Sequence, residues 1–438
     1  MVRLFRGERT RRSFLEEVGK ALGVGSLGVL VGGVRLQGRG DSASVPTAGD
    51  EAGVAMDEHF WSIVRSQFPL TRDRVYMNNG GLGPSPYQVL RTVQQAMEEL
   101  ESICETGHEK IEGVRQRAAA FLGCLPEELA FTHNTTEGMN LIARGLPLKP
   151  GDEVLMSTHE HVGGAMPWLA LMKERGLRVR LFEPADTAER NLEIIERNLT
   201  PRTRVLSISH MTCTVGTLFP AKELARLCEE RKIWFVLDGA HPPGQLCVNL
   251  HELGCHFYAT SGHKWLLGPK GTGLLYVRKD MHGIWKPVFV GAHSDAKYDL
   301  DRLMLEYLPE ARCVEYGTRN VPLVLGLGAA IDFLAALGMR NVEARGRYLS
   351  EQLLQGLQGL PQVEILTPQE RGSRGAIVAF RLKGKASANV VQELSRRGFR
   401  TRPVTEQQLD AVRVSCHVYT LVEDVRRLIE EIRVIASS

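Results

Sequence analysis

The 438 residues lack the cysteine patterns that mark a metal-bound or disulfide-framed protein. The eight cysteines (Cys104, Cys124, Cys213, Cys228, Cys247, Cys255, Cys313 and Cys416) are scattered with no Cys-x-x-Cys pair. Neither a zinc site nor a disulfide framework is indicated. Charge of one sign is missing too, since 54 Lys and Arg face 51 Asp and Glu for a formal net charge of +3. After residue 50 no Lys/Arg-rich block interleaves with aromatics, which argues against a nucleic-acid surface. There is no internal repeat, and no apolar run reaches the roughly 20 residues needed for a stable membrane span. What remains is an ordinary globular composition, 43% hydrophobic and 24% charged. The chain is long enough for a large buried core and two domains.

Residues 1–45 differ from the rest. Arg3, Arg6 and Arg9 lead into Thr10-Arg11-Arg12-Ser13-Phe14-Leu15, followed by a Gly-rich apolar stretch from Ala21 to Val34. Arg35 and Arg39 follow, then small residues at Ser42-Ala43-Ser44. This order fits a twin-arginine export signal with cleavage near Ser44, which places the protein outside the cytoplasm, with the twin-arginine export machinery as a partner. Glu16 and Glu17 precede the apolar stretch and no clear Ala-x-Ala site follows it. An amphipathic amino-terminal helix or an unstructured leader is the alternative, and leaves the protein cytoplasmic. The twin-arginine route carries folded proteins, so a cofactor loaded beforehand would travel with the chain.

From about residue 110 to 320, short apolar runs alternate with helical segments, as in an α/β sheet. Strands are expected at Leu129–Thr132, Glu153–Ser157, Arg204–Ser209, Ile233–Asp238 and Phe257–Thr260. Each run discharges polar residues past its carboxyl end, where ligands sit in open α/β sheets. From about Val321 the pattern reads as a linker helix and a small carboxyl-terminal α/β domain to residue 438. It has strands at Gly375–Leu382 and Ala411–Ser415 and a final helix over Val422–Ile435. The expected organisation is a large domain over 76–320, a small domain over 321–438, and a segment over 57–75 packing on the small domain.

The most informative pair is Asp238, closing Ile233-Trp234-Phe235-Val236-Leu237-Asp238, and Lys264, in Ser261-Gly262-His263-Lys264. A strand that delivers a carboxylate, then a turn that delivers an amine, suits an enzyme holding pyridoxal 5'-phosphate. The lysine forms a Schiff base with the aldehyde and the acid faces the pyridinium nitrogen. Thr135 and Thr136 lie at a strand-to-helix junction, where free N–H groups favour a phosphate. Plain capping of the helix by Asn134 or Thr135 is the alternative. Ser261 and His263 are further phosphate donors. His161 is placed to stack on a cofactor ring, although a lone histidine is more often a packed core or surface residue; His241 is placed to reach its phenolic oxygen and reads equally as a loop residue.

Together these segments resemble the class V aminotransferase family of fold-type I pyridoxal-phosphate enzymes. That family includes cysteine desulfurases, isopenicillin N epimerases and selenocysteine lyases. The resemblance runs from about Val75 to the end. It rests on Tyr76-Met77-Asn78-Asn79-Gly80-Gly81, Asn134-Thr135-Thr136-Glu137-Gly138, Glu160-His161 and Asp238-Gly239-Ala240-His241. Ser261-Gly262-His263-Lys264, Glu315-Tyr316-Gly317-Thr318 and Arg413-Val414-Ser415 complete it. The resemblance implies a mixed, mostly parallel sheet in the large domain and a homodimer with sites at the interface. Thr318 would then reach the neighbouring subunit's phosphate, Arg413 would pair with the substrate's α-carboxylate, and Asn79 would contact the substrate.

Lys264, Asp238 and His161 are thus the expected catalytic residues, acting on a small amino-acid substrate. Cysteine desulfurases carry a cysteine on the loop ahead of the carboxylate-binding arginine. Here that loop is Arg397-Gly398-Phe399-Arg400-Thr401-Arg402-Pro403-Val404, without one. A persulfide mechanism is not expected, and Cys416 reads as a packed thiol. The turn through Pro242 and the Tyr76–Gly81 entry most resemble isopenicillin N epimerase-like proteins. Epimerisation at the α-carbon therefore ranks ahead of a C–S or C–N lyase and an aminotransferase. A cofactor-binding pseudoenzyme is the alternative from another class. Arg319, Arg400 and Arg402 read as solvated charges before they read as contacts to a second acidic group.

Overall fold

A computed structural model describes residues 51–437. The export-signal reading of residues 1–45 lies outside them. The short strand β1 (Val75–Tyr76) precedes the main sheet, which comprises β2 (Leu129–Thr132), β3 (Glu153–Ser157), β4 (Arg178–Phe182), β5 (Thr203–Ser209), β6 (Trp234–Asp238), β7 (Phe257–Ser261) and β8 (Gly273–Val277). Their order is β2-β8-β7-β6-β5-β3-β4. All pairings from β7 to β4 are parallel, and β8 runs antiparallel to both its neighbours. Strands β2, β3, β5, β6 and β7 are buried almost throughout, as continuous runs of Val, Ile, Leu and Phe require when helices cover both faces. Because these strands share a direction, their carboxyl ends open on one edge.

The apolar helix Val321–Leu337 packs against helices Tyr87–Ile103 and Ile111–Leu122. It is followed, after a 78° bend, by Met339–Gln358. No single helix among the described residues is long and apolar enough to cross a membrane. An exposed hairpin, β9 (Asp295–Asp299) and β10 (Met304–Tyr307), precedes them. The carboxyl-terminal antiparallel sheet comprises β11 (Val363–Ile365), β12 (Ile377–Leu382), β14 (Arg402–Val404) and β15 (Ala411–Ser415), ordered β11-β12-β15-β14. Between β12 and β14, β13 (Phe399–Arg400) pairs in parallel with β1. The final helix, Val422–Ser437, buries Val425, Leu428 and Ile432 against this sheet.

The amino-terminal segment contacts this second sheet and its helices. Arg345 donates to Glu58, Arg65 to Asp424, and Val75 lies opposite Phe399. Just beyond it, Ser415 donates to the Met77 carbonyl (2.9 Å) and Gly80 donates to the Ser415 hydroxyl (2.9 Å). The Tyr76–Gly81 stretch is thereby laid along β15, and both reach the open edge of the main sheet.

Candidate active site

A cavity of about 330 Å³ lies at that edge, lined by residues at or past the carboxyl ends of five strands that share a direction, as well as by β14 and β15. Past β2 come Asn134, Thr135 and Thr136; past β3, His161; past β5, Cys213; past β6, Asp238 and Ala240; past β7, Ser261, His263 and Lys264. Arg402 and Arg413 form the far wall, with Gly80 and Gly81 between. Convergence follows from register, since Ser209 lies beside Asp238 and Asp238 beside Ala259.

The anion end is built at two helix N-termini. Asn134 caps helix Thr135–Gly145 by accepting from Glu137 N (2.9 Å). Thr135 is therefore free to share a 2.7 Å contact with the Ser261 hydroxyl. His161 caps helix Val162–Arg175, its Nδ1 accepting from Gly163 N at 3.0 Å. That bond places the proton of a neutral ring on Nε2. Burial and the Lys264 charge both push the His161 pKa down, so the ring is neutral around pH 7 and presents an uncharged face. His263 Nδ1 is buried without a hydrogen-bond partner, an orphaned polar atom at the end where a phosphate would sit.

At the centre, Asp238 accepts from Ala240 N at 3.0 Å, and its second oxygen faces Gly164, where a Cβ would come within 2.9 Å. Burial raises the Asp238 pKa and lowers that of Lys264, while each charge opposes the shift of the other. His241 accepts from Trp265 Nε1–H at 3.1 Å, and its Nε2 lies 3.5 Å from the Lys264 amine. Its pKa is driven well below the ordinary value, first by burial and then by Lys264. The lysine thus stands among neutral rings, with Asp238 supplying the negative charge. A hydroxyl-lined helix terminus, an orphaned imidazole nitrogen and a carboxylate facing a lysine fit the phosphate, ring and aldehyde of pyridoxal phosphate.

On the far wall Arg413 is 2% exposed and has no carboxylate partner among the described residues. It donates to the Cys213 carbonyl (2.6 Å) and to Asn78 Oδ1 (3.0 Å), while its Nε is buried and unpaired. Its pKa is pushed down to about 10, first by burial and then by Arg402. An unpaired buried cation is costly, so the geometry calls for an anionic ligand. Asn79 is fully buried, its Oδ1 accepting from the Tyr419 hydroxyl (3.0 Å) and its Nδ2 left unpaired.

The cavity thus brings together Thr135, Thr136, His161, Asp238, Ser261, His263, Lys264 and Arg413, with His241 against the lysine. Asn79 is not on the lining. Thr318 is exposed and does not line the cavity of its own chain. Its neighbour Glu315 is fixed by a bidentate pair with Arg115 (2.7 and 2.9 Å) and accepts from Phe131 N (2.6 Å). Cys416 is packed, as expected, and burial pushes its thiol up to about 12.

Two lining residues depart from the sequence reading. Arg402 is on the cavity wall rather than solvated, because β14 pairs with β15. Cys213 reads in the sequence only as one of eight scattered cysteines, yet it stands four residues past the end of β5, where the strand-end rule points to it. Among the described residues, no group of His, Cys, Asp and Glu could hold a metal ion.

The geometry agrees with comparisons to known proteins. The aminotransferase class-V family model matches residues 76–428. Isopenicillin N epimerase from Amycolatopsis lactamdurans is 33% identical over 85% of this chain and 98% of its own. A probable cysteine desulfurase from Methanothermobacter thermautotrophicus is 31% identical over 66% of this chain and 74% of its own. Among solved structures, the cystine C–S lyase C-DES in complex with its product cysteine persulfide superposes with a TM-score of 0.77. It is 26% identical, covering 84% of this chain and 99% of that one.

Proposed function

Because the chain belongs to the aminotransferase class-V family of pyridoxal-phosphate enzymes, we propose that it acts at the α-carbon of an amino acid as an epimerase-like enzyme. The observation that carries this reading is the pairing of a lysine beside one acid, Asp238, with a buried guanidinium, Arg413, that has none. An amino acid fits between them, its α-carboxylate at Arg413 and its α-carbon toward Lys264. The bound cofactor supplies an electron sink that makes the α-proton acidic. Asp238 would face the ring nitrogen, and Thr135, Thr136, Ser261 and His263 would hold the phosphate.

The remaining steps belong to the chain's own groups. Lys264, its pKa lowered by burial, has an amine available to take the α-proton at Nζ. His241, held as the Nε2–H tautomer by Trp265, adds no positive charge beside that amine. Arg413 fixes the carboxylate and so decides which bond at the α-carbon stands toward the lysine.

A lyase is the second reading, favoured by the likeness to the C–S lyase and to cysteine desulfurases. Against a persulfide route stands the state of Cys213, the thiol on the cavity wall. Burial raises its pKa against the opposing pull of Arg413, Lys264 and Arg402, whereas a reactive thiolate needs a lowered one. The loop 397–404 carries no cysteine. The deciding experiment follows an amino-acid panel in deuterated water with the cofactor-loaded enzyme. Inversion with α-deuteration and no released sulfide, ammonia or keto acid supports the epimerase. Release of any of these moves the assignment to a lyase or transaminase.

The reading includes a homodimer. Val162, Met166, Leu169 and Met172 form an exposed apolar stripe on the helix that His161 caps. With the exposed face of Tyr87–Ile103 (Leu90, Met97), this surface suits a second copy. Thr318 would then meet the partner's phosphate.

A further inference from the structure

We propose that Arg402 is a second anion-binding residue of this site, and that the substrate is an amino acid with a second carboxylate, held by Arg402 while Arg413 holds the α-carboxylate. This rests on the reading above and narrows it to a class of substrate.

Arg402 and Arg413 are cross-strand partners in the antiparallel pair of β14 and β15. Partners in such a pair project from the same face with Cβ atoms roughly 4.5–5.5 Å apart, and like charges placed so repel. Here both guanidiniums line one cavity. Each feels the site around it, since Arg402 contributes to the lowered pKa of Arg413, Lys264, His241 and His161.

Against two cations, this wall offers one acid. Glu406 accepts from Arg402 Nη2, and its other oxygen accepts from Thr405 N at 3.1 Å. Glu406 thus anchors its own loop and meets Arg402 on one edge. Of its other nitrogens, Nη1 is buried and has no partner among the described residues. On Arg413 the unpaired atom is Nε, and its acceptors are neutral. A monocarboxylate would satisfy Arg413 and leave the Arg402 Nη1 donor and the mutual repulsion in place. A dicarboxylate would satisfy both. Arg402 is half-buried, at the mouth of the cavity relative to Arg413, so the side-chain carboxylate belongs there and the α-carboxylate deeper.

The test is calorimetric titration at fixed ionic strength with unreactive anions, glutarate and succinate against butyrate. The dicarboxylates are expected to bind roughly tenfold or more tightly than butyrate, the size of one charge-assisted contact. Arg402→Gln should bring them down to the butyrate level. Glu406→Gln, which frees the Nη2 edge, should tighten them, a gain that general damage to the fold does not produce. Equal binding of the two classes by the native enzyme, or a preference that survives Arg402→Gln, would overturn the proposal. The parent reading is checked separately by whether visible absorbance from the cofactor responds to amino acids. An enzyme that responds but shows no dicarboxylate preference refutes Arg402 alone. A chain with no such response that still prefers dicarboxylates keeps the anion site and loses the chemistry.

Discussion

At the scale of single residues, chemistry concentrates where burial and charge conflict. Lys264→Ala removes both the amine and the anchor proposed for the cofactor. It should abolish visible absorbance from bound cofactor and lower turnover at least about a hundredfold, the scale of one general base; absorbance and kcat on one preparation check this. Arg413→Lys keeps the charge but loses the planar fork that reaches Cys213 O and Asn78 Oδ1. It should raise KM for the amino acid by roughly tenfold or more while the cofactor spectrum is kept. Most of these residues were legible in the sequence because each sits just past a strand, where local pattern predicts exposure on the sheet edge. Arg402 stands in the sequence beside Arg319 and Arg400 as a solvated charge first and a substrate contact second, because only pairing with β15 makes it a wall residue.

At the scale of elements, two close approaches set the site. Helix Val162–Arg175 comes so near the Thr135 terminus that a Cβ on Gly163 would stand 2.2 Å from Thr136 Oγ1. Gly163→Ala must push the two termini apart, and weaker cofactor retention, by about tenfold in Kd, is the expected result of equilibrium dialysis. The loop carrying Thr318 is tied to β2 by Glu315, whose carboxylate meets Arg115 and Phe131 N. Glu315→Ala leaves a buried guanidinium short of a partner and should cost about 3–5 kcal/mol in chemical denaturation. The strands β2, β3 and β15 fall where their apolar runs predict, and β5, β6 and β7 within a residue or so. The antiparallel insertion of β8 between β2 and β7 was not legible, since strand order depends on contacts far apart in the chain.

For the whole molecule, stability should depend on pH through Glu160. Its carboxyl accepts from Ser157 (2.5 Å) and Ser209 (2.7 Å), and burial pushes its pKa up to about 7, with Asp238 adding to the rise. Between the ordinary carboxylate value and about 7 the folded chain keeps a proton that the unfolded chain has lost. Stability from this group therefore falls as pH rises through that interval. Glu160→Gln should flatten the decline of Tm between about pH 5 and pH 7, and an unchanged slope would exclude Glu160 as its source. The dimer proposed through the exposed stripe at Val162, Met166, Leu169 and Met172 should appear in sedimentation velocity, with Met166→Glu shifting it toward monomer. The proposed export of the chain through its Arg11-Arg12 pair is checked by fractionation, where Lys at both positions should retain it in the cytoplasm.

The sequence by itself determined most strands of the sheet, the cofactor class and most residues of the candidate site. Each of those signals is contiguous: an apolar run ending in Asp238, a turn ending in Lys264, a cap followed by Thr135. Local patterning places such residues without reference to distant ones. Only the tertiary structure decided what faces them. Cross-strand register set Arg402 beside Arg413, the long return from β1 to β13 brought Asn78 and Asn79 to β15, and Glu315 found Arg115 across the fold. Those meetings depend on pairing parity and on packing between segments hundreds of residues apart, and a one-residue slip in β14 would turn Arg402 to the opposite face.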